Sequence, residues 1–189
     1  MAPLLYKLDA SPPACAVRMV AHIIGLQLDF KEPDISQMEH KSPGYLQLNP
    51  LGTIPVLIDD DFVLSDSHAI MIYLLSKYGG EKAESLYPSD VRTRATVNQV
   101  MFFDTGILFV RIKVVALPTI LEGMKAPTEK HLHDLDEAYG MIEAFLSHDM
   151  NSWLDLYRVF LPYFQCIATP GIAKFNVAMQ YHWRKNNKQ

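Results

Sequence analysis

Strand-like segments crowd into the first part of this chain and then stop. Short apolar or alternating runs at residues 3–8, 27–30, 54–58 and 62–64 each suit a strand. From Ser89 onward the sequence carries no strand signal, only apolar residues at helical spacing. Sheets and helices must each bury an apolar face, so this asymmetry points to an α/β part followed by an all-helical part.

Punctuation residues order the first part. Ser11-Pro12-Pro13 opens a helix carrying Ala16, Val17, Val20, Ile23 and Ile24, and Gly25 stops it. Strand, helix, strand suits a parallel βαβ unit with a right-handed crossover. A polar stretch from Glu39 to Gly44 leads to a short helix around residues 45–48, and Asn49-Pro50-Leu51-Gly52 is a turn. Pro55 can donate no ladder hydrogen bond, so it belongs at the start of its strand, and it is a candidate for a cis bond. Asp59-Asp60-Asp61 reads as a tight acidic turn inside a hairpin. Ser65-Asp66-Ser67 caps a helix bearing Ile70, Tyr73, Leu74, Leu75 and Tyr78, which stops at Gly79-Gly80. The order is β-α-β-α-β-β-α.

In the second part, Ser89-Asp90 caps a long helix with Val97, Met101, Phe102, Ile107, Leu108, Val114 and Val115, which Pro118 ends or kinks. Pro127-Thr128-Glu129 starts another, with Leu132, Leu135, Tyr139, Ile142 and Phe145 on one face. Residues 1–79 therefore read as one domain, 80–88 as a linker and 89–189 as a helical domain.

Composition removes several classes of function. A net charge of −4 and a pI near 5.9 give no electrostatic reason to expect DNA or RNA. The two cysteines, Cys15 and Cys166, leave one disulfide open but form no secreted framework, and no Cys/His spacing suggests a metal site. Lys7 arrives too early for a signal-peptide core, and no window approaches ~18 uninterrupted apolar residues. The expectation is a cytoplasmic protein with no metal, nucleic-acid or membrane partner.

The residues at the turns resemble the cytosolic glutathione S-transferases. Ser11-Pro12-Pro13 follows the first strand. Asn49-Pro50-Leu51-Gly52-Thr53-Ile54-Pro55-Val56-Leu57 is similar to the family segment that leads to its cis-proline. Asp66-Ser67-His68-Ala69-Ile70 is similar to the family's acid-Ser-(His/Arg)-Ala-Ile motif, and Phe103-Asp104-Thr105-Gly106 lies in the expected first helix of the second domain. The ordered set resembles the insect delta and epsilon classes, epsilon more closely. The resemblance implies a thioredoxin-like N-terminal domain, an all-helical C-terminal domain, glutathione as co-substrate, small hydrophobic electrophiles as partners in detoxification (xenobiotic metabolism), and a homodimer.

Such an enzyme must hold the glutathione thiol as a thiolate near neutral pH, although a free thiol has a pKa of roughly 8.5. Ser11, at a helix N-terminus, can donate to the sulfur, aided by the helix dipole; its plain alternative is a helix cap. Tyr6 is the rival hydroxyl. Asp66 and Ser67 open a helix where backbone N–H groups can take the γ-glutamyl carboxylate and Asp66 the ammonium; the plain alternative is a capping pair. By resemblance Ile54, before Pro55 and after Thr53, pairs with the cysteinyl backbone. Pro13 lies beside the peptide, His68 helps the γ-glutamyl end or merely lies on the helix face, and His40 reaches the glycyl carboxylate, against the plain reading of a lone exposed histidine. Many delta and epsilon members carry a histidine where this chain has Gly52, so a polar contact to the glycyl end is expected to be missing. Phe102, Thr105, Phe109, Arg111 and Ile112 are the candidates for the electrophile site, against the commoner meaning of such a stripe, core packing.

The tail departs from the family. Phe160 and Tyr163, with Pro162 between, stand where the family has a Thr-x-x-Asp capping box, and Pro170-Gly171 would interrupt the following helix. The chain also ends early for the family, so a shortened helical domain and a more open electrophile site are expected. The competing readings are a catalytically weak binding protein for glutathione or hydrophobic ligands, and an interaction module on the same fold.

Overall fold

The structure, a computed structural model, describes residues 1–121 and 127–147. The departures expected at Phe160, Tyr163 and Pro170-Gly171, and Cys166, lie outside those residues. The described chain divides into two compact units, one ending at Ser89 and the other beginning at Asp90.

The first unit is a thioredoxin-like sheet with helices on both faces. Its strands β1 (Leu4–Tyr6), β2 (Asp29–Lys31), β3 (Val56–Asp59) and β4 (Phe62–Ser65) lie in the order β2-β1-β3-β4. β1 and β2 are parallel, joined through α1 (Pro12–Ile24), while β3 runs antiparallel to both β1 and β4. Side chains alternate across the sheet. Tyr6 and Val56 pack on one face with Tyr45 and Leu48 of α2 (Pro43–Leu48). Leu5 and Leu57, both fully buried, therefore point to the opposite face, which α1 and α3 (Ser67–Tyr78) cover with Val17, Val20, Ile70 and Leu74.

Local chemistry sets the ends of these elements. Ser11 caps α1, prolines fill its first two positions, and Gly25 closes it at φ +75°. Ser42 caps α2 by accepting from Tyr45 N–H. β2 falls at Asp29–Lys31, later than the alternation at residues 27–30 suggests, because Asp29 to Lys31 are the residues that register with Leu4 to Tyr6. β3 begins at Val56 rather than Ile54, since Pro55 offers no N–H, and the Ile54–Pro55 bond is cis. The stretch 80–88 is not a bare linker: α4 (Glu81–Leu86) forms within it, and Lys82 Nζ donates to the Ile23 carbonyl at the end of α1 at 2.7 Å.

The acidic triplet also divides. Asp60 and Asp61 form the hairpin turn, with Asp60 at φ +55°, but Asp59 ends β3 and is buried. Its carboxylate accepts from Tyr73 OH at 2.7 Å, Lys77 Nζ at 2.7 Å and Tyr78 OH at 2.8 Å, which fastens the hairpin to α3.

The second unit is helical throughout its described residues. α5 (Val91–Phe103), capped by Asp90, passes through a π-helical turn at Asp104–Leu108 into α6 (Phe109–Leu121). The helix continues past Pro118 to Leu121, so that proline does not end it. α7 (Glu129–Ser147) packs on α6 through Leu135, Ala138, Tyr139 and Ile142, all buried, while Leu132 of the expected face is exposed.

Candidate functional site

Sheet register gathers the candidate segments of the first unit. Lys31, Tyr6, Val56 and Ser65 stand side by side across the four strands. The chain leaves β1 at this end toward Ser11, leaves β2 toward His40, enters β3 from Thr53-Ile54-Pro55 and leaves β4 into Asp66-Ser67. Open α/β sheets bind ligands beyond the carboxyl ends of their strands, and three of these four ends are carboxyl ends.

Ser11 is half-buried at the start of α1. Its Oγ accepts from Ala14 N–H at 3.4 Å, and its carbonyl accepts from Cys15 N–H at 3.0 Å. Pro12 and Pro13 have no N–H to offer. The backbone donors that usually make a helix start an anion site are therefore missing or used here, and the Ser11 hydroxyl hydrogen, which has no acceptor among the described residues, is the donor that remains. Tyr6, the rival hydroxyl, packs edge-on against Tyr45 at 5.5 Å in the α2-side core, and its oxygen accepts from Lys31 Nζ at 3.4 Å. Cys15 is buried with its thiol toward the Asp9 carbonyl.

Asp66 caps α3 from a strained position, φ +74° and ψ 119°. One carboxylate oxygen accepts from His68 N–H at 2.9 Å and Ala69 N–H at 3.1 Å. That occupies two of the N–H groups expected to be open, leaving the Ser67 N–H and the second Asp66 oxygen, with the Ser67 hydroxyl against His68 Nδ1. His68 is buried, its Nδ1 3.4 Å from Ser67 Oγ, so its ring supports the helix start rather than projecting from it.

The Thr53–Pro55 segment is held from behind. Tyr45 OH and Asn49 Nδ2 both donate to the Thr53 carbonyl at 2.9 Å, and Asn49 Nδ2 also reaches Thr53 Oγ1 at 2.9 Å. Next to this fixed peptide, the N–H and C=O of Ile54 have no hydrogen-bond partner among the described residues. An extended peptide laid alongside would find one donor and one acceptor waiting. Asn49 and Tyr45 escaped sequence reasoning: a buried asparagine inside Asn-Pro-Leu-Gly looks like any turn residue.

His40 lies in a 3₁₀ turn, Glu39–Lys41, half-buried, with Nδ1 enclosed and unpartnered. Gly52 faces this turn at φ +58°. A Cβ there would stand 2.7 Å from the His40 carbonyl and 2.7 Å from Lys41 Nζ. Lys41 Nζ donates to Leu51 O at 2.8 Å, so its side chain occupies the space a residue-52 side chain would need. A side chain at 52 would require this turn to shift.

In the helical unit, Phe102 is 73 % exposed and Phe109 is half-buried beside Lys113, 5.6 Å from its ring. Thr105 returns its hydroxyl to Met101 O and Phe102 O. Arg111 is drawn to α7, where it donates to Asp134 O and pairs with Glu137 at 3.3 Å, and Ile112 is buried at 3 % exposure. Among the described residues no group of three or more His, Cys, Asp or Glu side chains could hold a metal ion, and no helix is long and apolar enough to cross a membrane.

The sheet order and the cis-proline loop define a thioredoxin-like domain joined to helices. A family model described as the N-terminal domain of glutathione S-transferase matches residues 5–82. Glutathione S-transferase 1 of Manduca sexta is 40 % identical over 151 residues, 79 % of this chain and 67 % of that protein. A glutathione transferase homologue of Drosophila mojavensis, solved with bound glutathione, superposes with a TM-score of 0.72 at 39 % identity, over 76 % of this chain and 65 % of that one. An epsilon-class glutathione S-transferase from the housefly Musca domestica gives a TM-score of 0.77 at 29 % identity, over 95 % of this chain and 86 % of that one. This chain belongs to the glutathione S-transferase family, and its relatives are the insect delta and epsilon classes. It spans about two thirds of the length of the curated relatives it matches.

Proposed function

We propose that this chain is a glutathione transferase that joins the glutathione thiol to hydrophobic electrophiles, with Ser11 stabilising the thiolate. The reading rests on one observation above all: the Ser11 hydroxyl accepts from Ala14 and keeps its own hydrogen, at a helix start whose first positions are prolines. The thiol releases its proton to water, and the Ser11 O–H donates to the sulfur anion. The sulfur then attacks the electrophilic carbon, forming an S–C bond as the leaving group departs with its electron pair. Serine itself never loses its proton.

The remaining roles follow the chemistry of the tripeptide. Ile54 N–H and C=O pair with the cysteinyl backbone, with Thr53 and Pro55 fixing that segment. Ser67 N–H and hydroxyl take the γ-glutamyl carboxylate, and the second oxygen of Asp66 takes the ammonium. His68 supports that end, Pro13 borders the sulfur, and His40 meets the glycyl carboxylate. Phe102, Thr105 and Phe109 receive the apolar body of the electrophile, with Arg111 and Ile112 supporting them from within their own unit. The same reading makes the protein a cytoplasmic homodimer, which analytical ultracentrifugation and cell fractionation test.

Retention on immobilised glutathione, combined with a chromogenic conjugation assay, decides the matter. Retention with turnover is the expected result. Retention without turnover would turn the reading to the ligand-binding alternative, which the missing side chain at Gly52 favours. Neither retention nor turnover would overturn both.

A further inference from the structure

We propose that Asp9 is a positioning residue that fixes the direction of the Ser11 hydroxyl by clamping the turn between β1 and α1. The inference rests on the Ser11 role proposed above.

The turn closes where Ser11 N–H donates to Leu8 O at 3.0 Å, and Asp9 and Ala10 are its exposed middle residues. Beyond Ser11, Pro12 and Pro13 have no N–H, and the backbone holds Ser11 through Ala14 and Cys15 N–H at 3.4 and 3.0 Å. Asp9 anchors the turn from its other side. One carboxylate oxygen gathers Lys7 Nζ from just past β1 at 2.8 Å and Arg18 Nη1 from α1 at 2.7 Å, while its carbonyl faces Cys15 Sγ at 3.4 Å. Lys7 is itself buried; it also pairs with Glu32, just past β2, and its N–H donates to Lys31 O at 2.9 Å. Lys7 and Arg18 both lie against the Phe30 ring, 5.8 and 5.6 Å from its centre. A solitary exposed ion pair contributes little. Here one carboxylate joins two cations from elements already packed together, and the turn it belongs to ends on Ser11. A hydrogen bond to sulfur depends on direction, so a small displacement of Ser11 weakens it.

The charges nearby make the test one of sign. The groups facing Asp9 are Lys7, Arg18 and, through Lys7, Glu32. Asp9→Asn removes an anion from the turn that ends on Ser11, so charge alone would lower the pKa of the bound thiol. Loss of positioning raises it. The measurement is the ultraviolet absorbance of the thiolate, titrated on the full chain with glutathione bound. Asp9→Asn is expected to raise the thiol pKa by about half to one unit. It should slow kcat at neutral pH roughly threefold to tenfold, with KM for glutathione within about twofold. Asp9→Glu should restore both. Asp9→Ser, a residue at home in turns, should give the same sign as Asp9→Asn. An unchanged or lowered thiol pKa in the neutral variants overturns the proposal, even if their Tm falls. A wild-type chain that binds glutathione yet leaves it a thiol overturns the Ser11 reading itself, and this inference with it.

Discussion

Tyr45 donates its hydroxyl to the Thr53 carbonyl at 2.9 Å, and this bond fastens α2 to the loop that presents the open Ile54 backbone. Burial, reinforced by the neighbouring Tyr6, pushes the Tyr45 phenol up to about 12, so it remains a donor throughout the neutral range. Asn49, 1 % exposed, shares the work: it donates to the same carbonyl and accepts from Leu51 N–H at 3.1 Å.

Removing the amide should therefore cost more than removing the phenol. Asn49→Ala leaves Leu51 N–H without its acceptor and takes one donor from Thr53 O. We expect a loss of about 2–3 kcal/mol in urea unfolding, and about 1 kcal/mol for Tyr45→Phe. Equal effects would mean that the loop is held elsewhere.

Ser11→Ala separates catalysis from binding. Conjugation should slow by about a hundredfold, the scale of losing one aimed donor to a reacting anion. Retention on immobilised glutathione should persist. The lost cap should cost at most ~1 kcal/mol, because its bond to Ala14 N–H is long at 3.4 Å. Unchanged turnover removes Ser11 from the mechanism.

Asp66 combines a cap, a charge and a strained backbone, and three substitutions pull these apart. Asp66→Asn keeps the cap but loses the charge, so Tm should hold while glutathione affinity falls in calorimetry. Asp66→Ala keeps the φ of +74° without the cap and should lose about 1–2 kcal/mol. Asp66→Gly also loses the cap but relieves the backbone, so it should be the more stable of these two.

Asp59 gives the fold an acid-sensitive joint. Burial alone would push its carboxyl up, but hydrogen bonds from Lys77, Tyr73 and Tyr78 outweigh burial and hold it below the usual carboxylate range. A depressed pKa contributes stability that is fully present above the unfolded value of about 3.9 and is lost as pH falls through the folded value. Tm measured against pH should therefore converge for wild type and Asp59→Asn below about pH 4, and separate in favour of wild type above it. A constant gap across that window contradicts the assignment.

Periodicity and caps made much of this architecture readable. Ser11, Gly25, Asp66 and Asp90 each act at a helix end through chemistry local in sequence, while α2 starts at Pro43, capped by Ser42, earlier than the short helix read around residues 45–48. What stayed hidden depends on contacts between distant residues. Asp59 looked like its neighbours Asp60 and Asp61 because only α3, folded back over the hairpin, tells them apart. Asn49 and Asp9 matter through partners that no spacing rule names. Pro118 looked like a stop or a kink, and α6 runs on through it to Leu121. The site shows the same division. Ser11, Ile54 and Ser67 could be named from motifs, whereas the loss of free N–H groups at both helix starts needed the observed hydrogen bonds.

Gly52 has a consequence for how this loop can be changed. A Cβ at 52 meets the His40 carbonyl and the Lys41 side chain at once, on a backbone turned to φ +58°. Positions 41 and 52 are thus sterically coupled: a side chain placed at 52 requires the turn opposite to shift. A polar residue at 52 therefore needs a companion change in the Glu39–Lys41 turn, the wall that faces it.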